Sequence, residues 1–138
     1  MQTDTTVGFV SQNSSKLYKI KSRNNSKPLI KVYPTLKQCM ACGHRIPHGM
    51  KNLVRRSKKT TFIIKNQAFR VVKHKLNSQI LREMKWCYST SANESGKNFD
   101  IDFCQDKADI IIEDKDGLHE NTSSALFKIN NLKQVRIR

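Results

Sequence analysis

Short apolar runs of strand length alternate along this chain with amphipathic stretches, and that interleaving limits the fold more than any other feature. Pro28 to Tyr33 (PLIKVY), Thr61 to Ile64 (TFII), Ala68 to Val72 (AFRVV), Ala108 to Ile112 (ADIII) and Ala125 to Ile129 (ALFKI) are rich in β-branched or aromatic residues, as strands are. Only Lys65-Asn66-Gln67 separates the second run from the third, which predicts a hairpin. Helices are expected over 14–22, 35–41 and 78–84, with Thr35 as an N-cap and Gly43 as a C-terminal stop. Elements mixed in this order predict an α/β domain, a twisted sheet of parallel and antiparallel strands with flanking helices. A chain of 138 residues buries one core, so a single domain over 1–138 is expected.

Charge narrows the partners. The formal net charge is +15, and residues 1–98 hold 20 Lys and Arg against three acids, Asp4, Glu83 and Glu94. A surface so biased attracts polyanions such as nucleotides or RNA, or serves only solubility. No apolar run is long enough to span a bilayer, and the opening MQTDTTVGF lacks a signal-peptide pattern. The expected location is therefore cytoplasmic, with Cys39, Cys42, Cys87 and Cys104 as reduced thiols.

Two basic clusters can carry chemistry. Lys19, Lys21, Arg23 and Lys27 surround a turn before a strand, where Lys acts as a point charge and Arg grips an oxyanion with paired hydrogen bonds. Arg55, Arg56, Lys58 and Lys59 have no aromatic among them, a pattern that fits phosphate-backbone attraction better than base stacking. Either cluster reads equally well as a solvated turn. Cys39-Met-Ala-Cys42-Gly-His44 has zinc-knuckle spacing but no second closely spaced pair, so small buried thiols are the stronger reading. Nucleophile-elbow, zinc-protease and P-loop patterns are all absent. Most acids lie in the tail, as loop and helix-surface residues; Asp4 alone stands near the first cluster and is a candidate to help hold a metal-bound phosphate. After Trp86-Cys87-Tyr88, the stretch Ser89-Thr-Ser-Ala-Asn-Glu-Ser-Gly96 is either a polar turn or a hydroxyl-lined wall for an anion.

Thr90-Ser91-Ala92-Asn93 followed by Ser95-Gly96 resembles the T-S-A-N-x-S-G signature of the YrdC-like family, the threonylcarbamoyl-AMP synthases. Thr3-Asp4-Thr5-Thr6-Val7-Gly8-Phe9 resembles its T-[DE]-T-V-Y-G-L, and Ile20 to Arg23 with Lys27 to Ile30 resembles its I-K-x-R-P-x-x-K-P-L. Lys59 to Ile64, Ala68 to Val72, Thr122 to Ala125 and Val135 to Arg138 are similar to later landmarks, in the same order. Val7 stands where the family has Tyr, Val32 where many members have His, and Arg138 at a final Gly. The family's helix and strand ahead of the first motif have no counterpart in residues 1–138, so a short, divergent member is expected.

The resemblance implies an enzyme that condenses L-threonine, bicarbonate and magnesium-bound ATP into threonylcarbamoyl-AMP and pyrophosphate, for transfer to tRNA by other proteins. By position it implies that Lys21, Arg23, Ser91 and Asn93 carry the reaction. Arg23, Lys27, Asn93 and Arg136 would hold ATP, with Arg136 closing over it. Thr5, Thr61, Ser91 and Ser123 would line the threonine pocket, and the protein itself would hold no metal. The contrasting expectation is a catalytically silent relative that binds tRNA or other RNA through Arg55, Arg56, Lys58 and Lys59.

Overall fold

The computed structural model describes residues 1–22, 28–73, 75–113 and 115–138. The elements are β1 (Gly8–Ser11), α1 (Ser14–Ile20), β2 (Ile30–Tyr33), α2 (Leu36–Ala41), α3 (Lys51–Arg56), β3 (Thr60–Ile64), β4 (Gln67–Val71), α4 (Lys75–Met84), β5 (Cys87–Ser91), α5 (Ile101–Lys107), β6 (Ala125–Ile129) and β7 (Gln134–Arg136). The strands form one sheet in the order β1-β5-β2-β4-β3-β6-β7. Pairs β2/β4 and β3/β6 are parallel and the other four antiparallel, the mixed α/β sheet expected from the sequence.

Local chemistry sets the boundaries. Thr35 caps α2 by accepting from Gln38 N at 3.1 Å, and Gly43 leaves it at φ +93°, where a side chain would be strained. Asn13 caps α1 and Asp100 caps α5. The hairpin β3–β4 closes through Lys65 and Asn66 at φ 47° and 63°, the paired left-handed conformation whose twist suits adjoining strands.

The run Ala108–Ile112 was expected as a strand and is not one. It leaves α5 as unpaired chain, with Ile110 76% exposed. Ile110, Ile111 and Ile112 line one apolar groove with Leu17, Ile20 and Met84. Ile110 and Ile111 remain exposed, so strand-like composition did not bring this run to a pairing edge.

The two faces of the sheet have different fates. On one, Tyr33, Phe62, Phe69 and Val71 pack with Leu36, Cys39 and Val54 from α2 and α3, while Phe9 and Leu29 pack with Leu17 and Cys104 from α1 and α5. On the other, Val32, Val72 and Cys87 are covered by Leu81 of α4. Ten residues of α4 cover only one end of that face, and the remainder is a polar cleft. No helix among the described residues is long and apolar enough to cross a membrane.

Candidate functional site

Residues 3–6 fold into a turn closed by a bridge between Gln2 and Val7. Thr3 Oγ1 accepts from the Thr5 and Thr6 amides at 3.2 and 3.3 Å and donates to the Thr6 carbonyl at 2.6 Å. Threonine in the first position thus satisfies the turn locally and leaves Asp4 and Thr5 to face β4.

There they meet Arg70, 7% exposed. Its Nη1 donates to Asp4 Oδ1 at 2.9 Å and Thr5 Oγ1 at 3.0 Å, while Nε and Nη2 donate to Thr61 Oγ1 at 3.2 and 2.9 Å. Thr61 Oγ1 also lies 3.0 Å from Ser124 Oγ. Of the five guanidinium N–H groups, these contacts use four, so one Nη2 proton is left without a partner among the described residues. Asp4 Oδ2 is buried and makes no hydrogen bond, so the carboxylate serves Arg70 through one oxygen.

Arg70 lies in a cleft of about 170 Å³ with Ile30, Val32 and Gly8 beneath it, and with Thr5, Ser91, Ser123, Ser124 and Arg138 around it. Glycine is required at position 8, because a Cβ there would lie 2.9 Å from Thr3 Cγ2 and 3.2 Å from the Thr90 carbonyl oxygen. Arg138 Nε reaches the Ser124 carbonyl at 3.3 Å.

At the end of β5, Lys21 is 2% exposed. Its ammonium donates to the Ser91 carbonyl at 3.0 Å, to Asn93 Oδ1 at 2.7 Å and to the Asn93 carbonyl, while Ser91 Oγ donates to Asn93 Oδ1 at 2.6 Å. Lys21 therefore clamps the 91–93 segment from behind. β5 runs on to Ser91, so the polar stretch after Tyr88 begins as a strand rather than as a turn.

The structure brings together Thr5, Thr61, Ser91 and Ser123, with Lys21 and Asn93 holding the adjoining corner. Arg136 lies on β7, exposed and opposite Phe127, whereas Arg138 lines the cleft. Arg23 and Lys27 lie outside the described residues. Arg55, Arg56, Lys58 and Lys59 are exposed on and after α3 and form no ion pair with an acid among the described residues. Cys39 is fully buried, and burial pushes its thiol up to about 12. No group of three or more His, Cys, Asp and Glu side chains among the described residues is placed to hold a metal.

Sequence reasoning assigned no role to Arg70 or Ser124. The signal for Arg70 was present: a charged residue between apolar Phe69 and Val71 is conspicuous on a strand that packs both faces. Its partner Asp4 had been picked out, for a metal rather than for this pairing.

A family model named Sua5/YciO/YrdC and described as "Telomere recombination" matches residues 1–138. No curated protein matches the chain. Among solved structures, P. abyssi Sua5 complexed with L-threonine superposes with a TM-score of 0.79 at 18% identity, covering 99% of this chain and 48% of that one. A doubly substituted P. abyssi Sua5 gives 0.75 at 16%, covering 99% and 47%. The solution structure of the MTH1692 protein from Methanobacterium thermoautotrophicum gives 0.59 at 17%, covering 91% and 71%. The chain thus spans about half the length of the Sua5 structures and shares their fold.

Proposed function

The chain belongs to the Sua5/YciO/YrdC family, and on that premise we propose that it condenses L-threonine, bicarbonate and ATP into threonylcarbamoyl-AMP and pyrophosphate, a cytoplasmic step in tRNA modification. The observation that carries this reading is the cleft around Arg70: one buried guanidinium, fixed by Asp4, Thr5 and Thr61 and ringed by hydroxyls. Such a site suits a small zwitterion with a carboxylate and a hydroxyl, and P. abyssi Sua5 has been seen with L-threonine.

Threonine's amine and bicarbonate form a carbamate with loss of water. A carbamate oxygen then attacks the α-phosphorus of ATP, and the bond to the bridging oxygen breaks to release pyrophosphate. This chemistry asks the protein for alignment of two anions rather than for a nucleophile. Arg70 would take the threonine carboxylate through its remaining N–H, with Thr5, Thr61 and Ser123 about the substrate. Ser91 and Asn93 would border the reacting groups, held in place by Lys21. Arg23 and Lys27 would meet the nucleotide phosphates, with Arg138 joining Arg136 at the rim.

The described residues do not fit a protein-held magnesium ion. Asp4 gives one oxygen to Arg70, its other oxygen is buried, and no further acid lines the cleft. Magnesium would arrive chelated to ATP as part of the substrate.

The test is pyrophosphate release from magnesium-ATP. It should require threonine and bicarbonate together and disappear in Arg70→Met. Release that ignores threonine, or no release at all, would defeat the proposal.

The exposed cations on and after α3 support a second reading, RNA or tRNA binding without catalysis. It predicts salt-sensitive RNA binding, weakened by reversing charge at Arg55, Arg56, Lys58 and Lys59. Salt-insensitive or absent binding would remove it.

A further inference from the structure

On the helix-covered side of the sheet, away from Arg70, a cavity of about 330 Å³ opens among α1, the segment after α2 and the β3–β4 turn. At its base is a residue rarely found there: Lys31, on β2 between β4 and β5, where a covered interior strand normally carries an apolar side chain. Its ammonium lies 3.9 Å from the centroid of Trp86, 5.9 Å from that of Tyr33 and 6.0 Å from that of Tyr88. It pairs with no acid among the described residues. His44 also lines this cavity. It is 8% exposed and stacked against Tyr33 and Phe69, and its ring makes no hydrogen bond to another described residue.

Two nitrogen-bearing groups therefore share one cavity, neither paired with an acid among the described residues. The remaining polar side chains there include hydroxyls, amides and the Cys42 thiol, and no acid among the described residues lines the cavity. Lys31 is half-buried, and ring faces hold its ammonium without neutralising it, so an anion entering the cavity would gain a charge partner there. The rings of Tyr18, Tyr88 and His44 with Leu29 supply flat apolar walls, and the volume lies within the range of small-ligand sites.

We propose that this cavity is a second ligand site, for a small anion carried on a flat ring. Lys31 neutralises the anionic group, His44 donates to it, and the tyrosines receive the ring. Aromatic carboxylates and nucleoside monophosphates share that chemistry. The site is independent of the reaction proposed for the Arg70 cleft.

The chain's single tryptophan, Trp86, lies against Lys31 and reports directly. The full chain would be titrated with AMP and, separately, with benzoate. Tryptophan emission and the amide resonances of Gln67 and Tyr88 would be followed together. The expected result is a saturable response to at least one ligand, whose identity shows whether the anion is phosphate or carboxylate. Lys31→Met should weaken it about tenfold or more. Tyr18→Ala, which retains the ammonium and removes a half-buried ring packed against the Leu17–Leu29 cluster, should weaken it while the chain still unfolds cooperatively. Ser91→Ala, on the cleft side, should leave it intact. No saturable response to either ligand, persistence in Lys31→Met, or loss in Ser91→Ala would overturn the proposal.

Discussion

Arg70 and Lys31 stand on adjacent parallel strands, one residue out of phase: Arg70 is opposite Val32, and Lys31 is opposite Phe69. That single step sends the two cations to opposite faces of the sheet, where they are stabilised in different ways. Arg70 has an acid and hydroxyls committed to it, so its orientation is fixed before any ligand arrives. Lys31 has aromatic faces and no acid among the described residues, and ring faces hold a cation with little directional preference. A guanidinium tied down this firmly suits alignment in a reaction, whereas a loosely caged ammonium suits capture of a ligand.

Removing each cation should show the contrast, beginning with the more costly. Arg70→Met leaves Asp4 as a buried carboxylate with no cation, and breaking such a pair costs about 3–5 kcal/mol, readable by urea denaturation. Adding Asp4→Asn to Arg70→Met should recover part of that stability without restoring threonine-dependent pyrophosphate release. Equal stability of single and double variants would show that the ion pair does not govern this corner.

Lys21→Met comes next. The ammonium holds three acceptors on Ser91 and Asn93, and losing charged hydrogen bonds in a buried setting costs about 2 kcal/mol. Through these bonds Lys21 holds the 91–93 segment. Accordingly, Lys21→Met should raise hydrogen exchange across 91–97 as well as impair turnover. Impaired turnover with unchanged exchange would return Lys21 to direct contact with substrate.

The fold was legible where local chemistry decided it. Thr35, Gly43 and the Lys65–Asn66 turn specify their own backbone, and the runs expected at 28–33, 61–64, 68–72 and 125–129 form strands over 30–33, 60–64, 67–71 and 125–129. Legibility failed where the outcome depended on distant partners. Ala108–Ile112 has strand composition but borders a groove with Ile110 and Ile111 exposed, and α3, α5 and the edge strand β7 are too short to show a clear period. At the site, the hydroxyl residues were found through motif resemblance. Arg70 was passed over because its meaning rests on pairings with Asp4 and Thr61, 66 and nine residues away. Arg23 and Lys27 belong to the motif, but lie outside the described residues.

Tyr33 offers a smaller test on Lys31's side of the sheet. Its ring is fully buried, and its hydroxyl makes no hydrogen bond among the described residues. Tyr33→Phe removes an unsatisfied group while keeping the ring beside Lys31, and should raise stability by about 1 kcal/mol. A loss of similar size would reveal a partner for that hydroxyl.

Lys31→Met itself should have the smallest effect on stability, within about 1 kcal/mol, because ring contacts around a partly exposed ammonium contribute little. Its clearer signature is at His44. Burial lowers the His44 pKa below its ordinary 6.5, and the Lys31 charge lowers it further. The unfolded chain therefore binds the proton more readily than the folded one. This contribution to stability is complete above 6.5 and declines as pH falls toward the folded value. Replacing Lys31 by Met removes the second cause and keeps the first. The His44 titration followed by NMR should move upward while staying below 6.5, and the acid-side loss of stability should shrink. An unmoved titration would mean that the ammonium is screened from the ring, and that Lys31 and His44 do not face a common ligand.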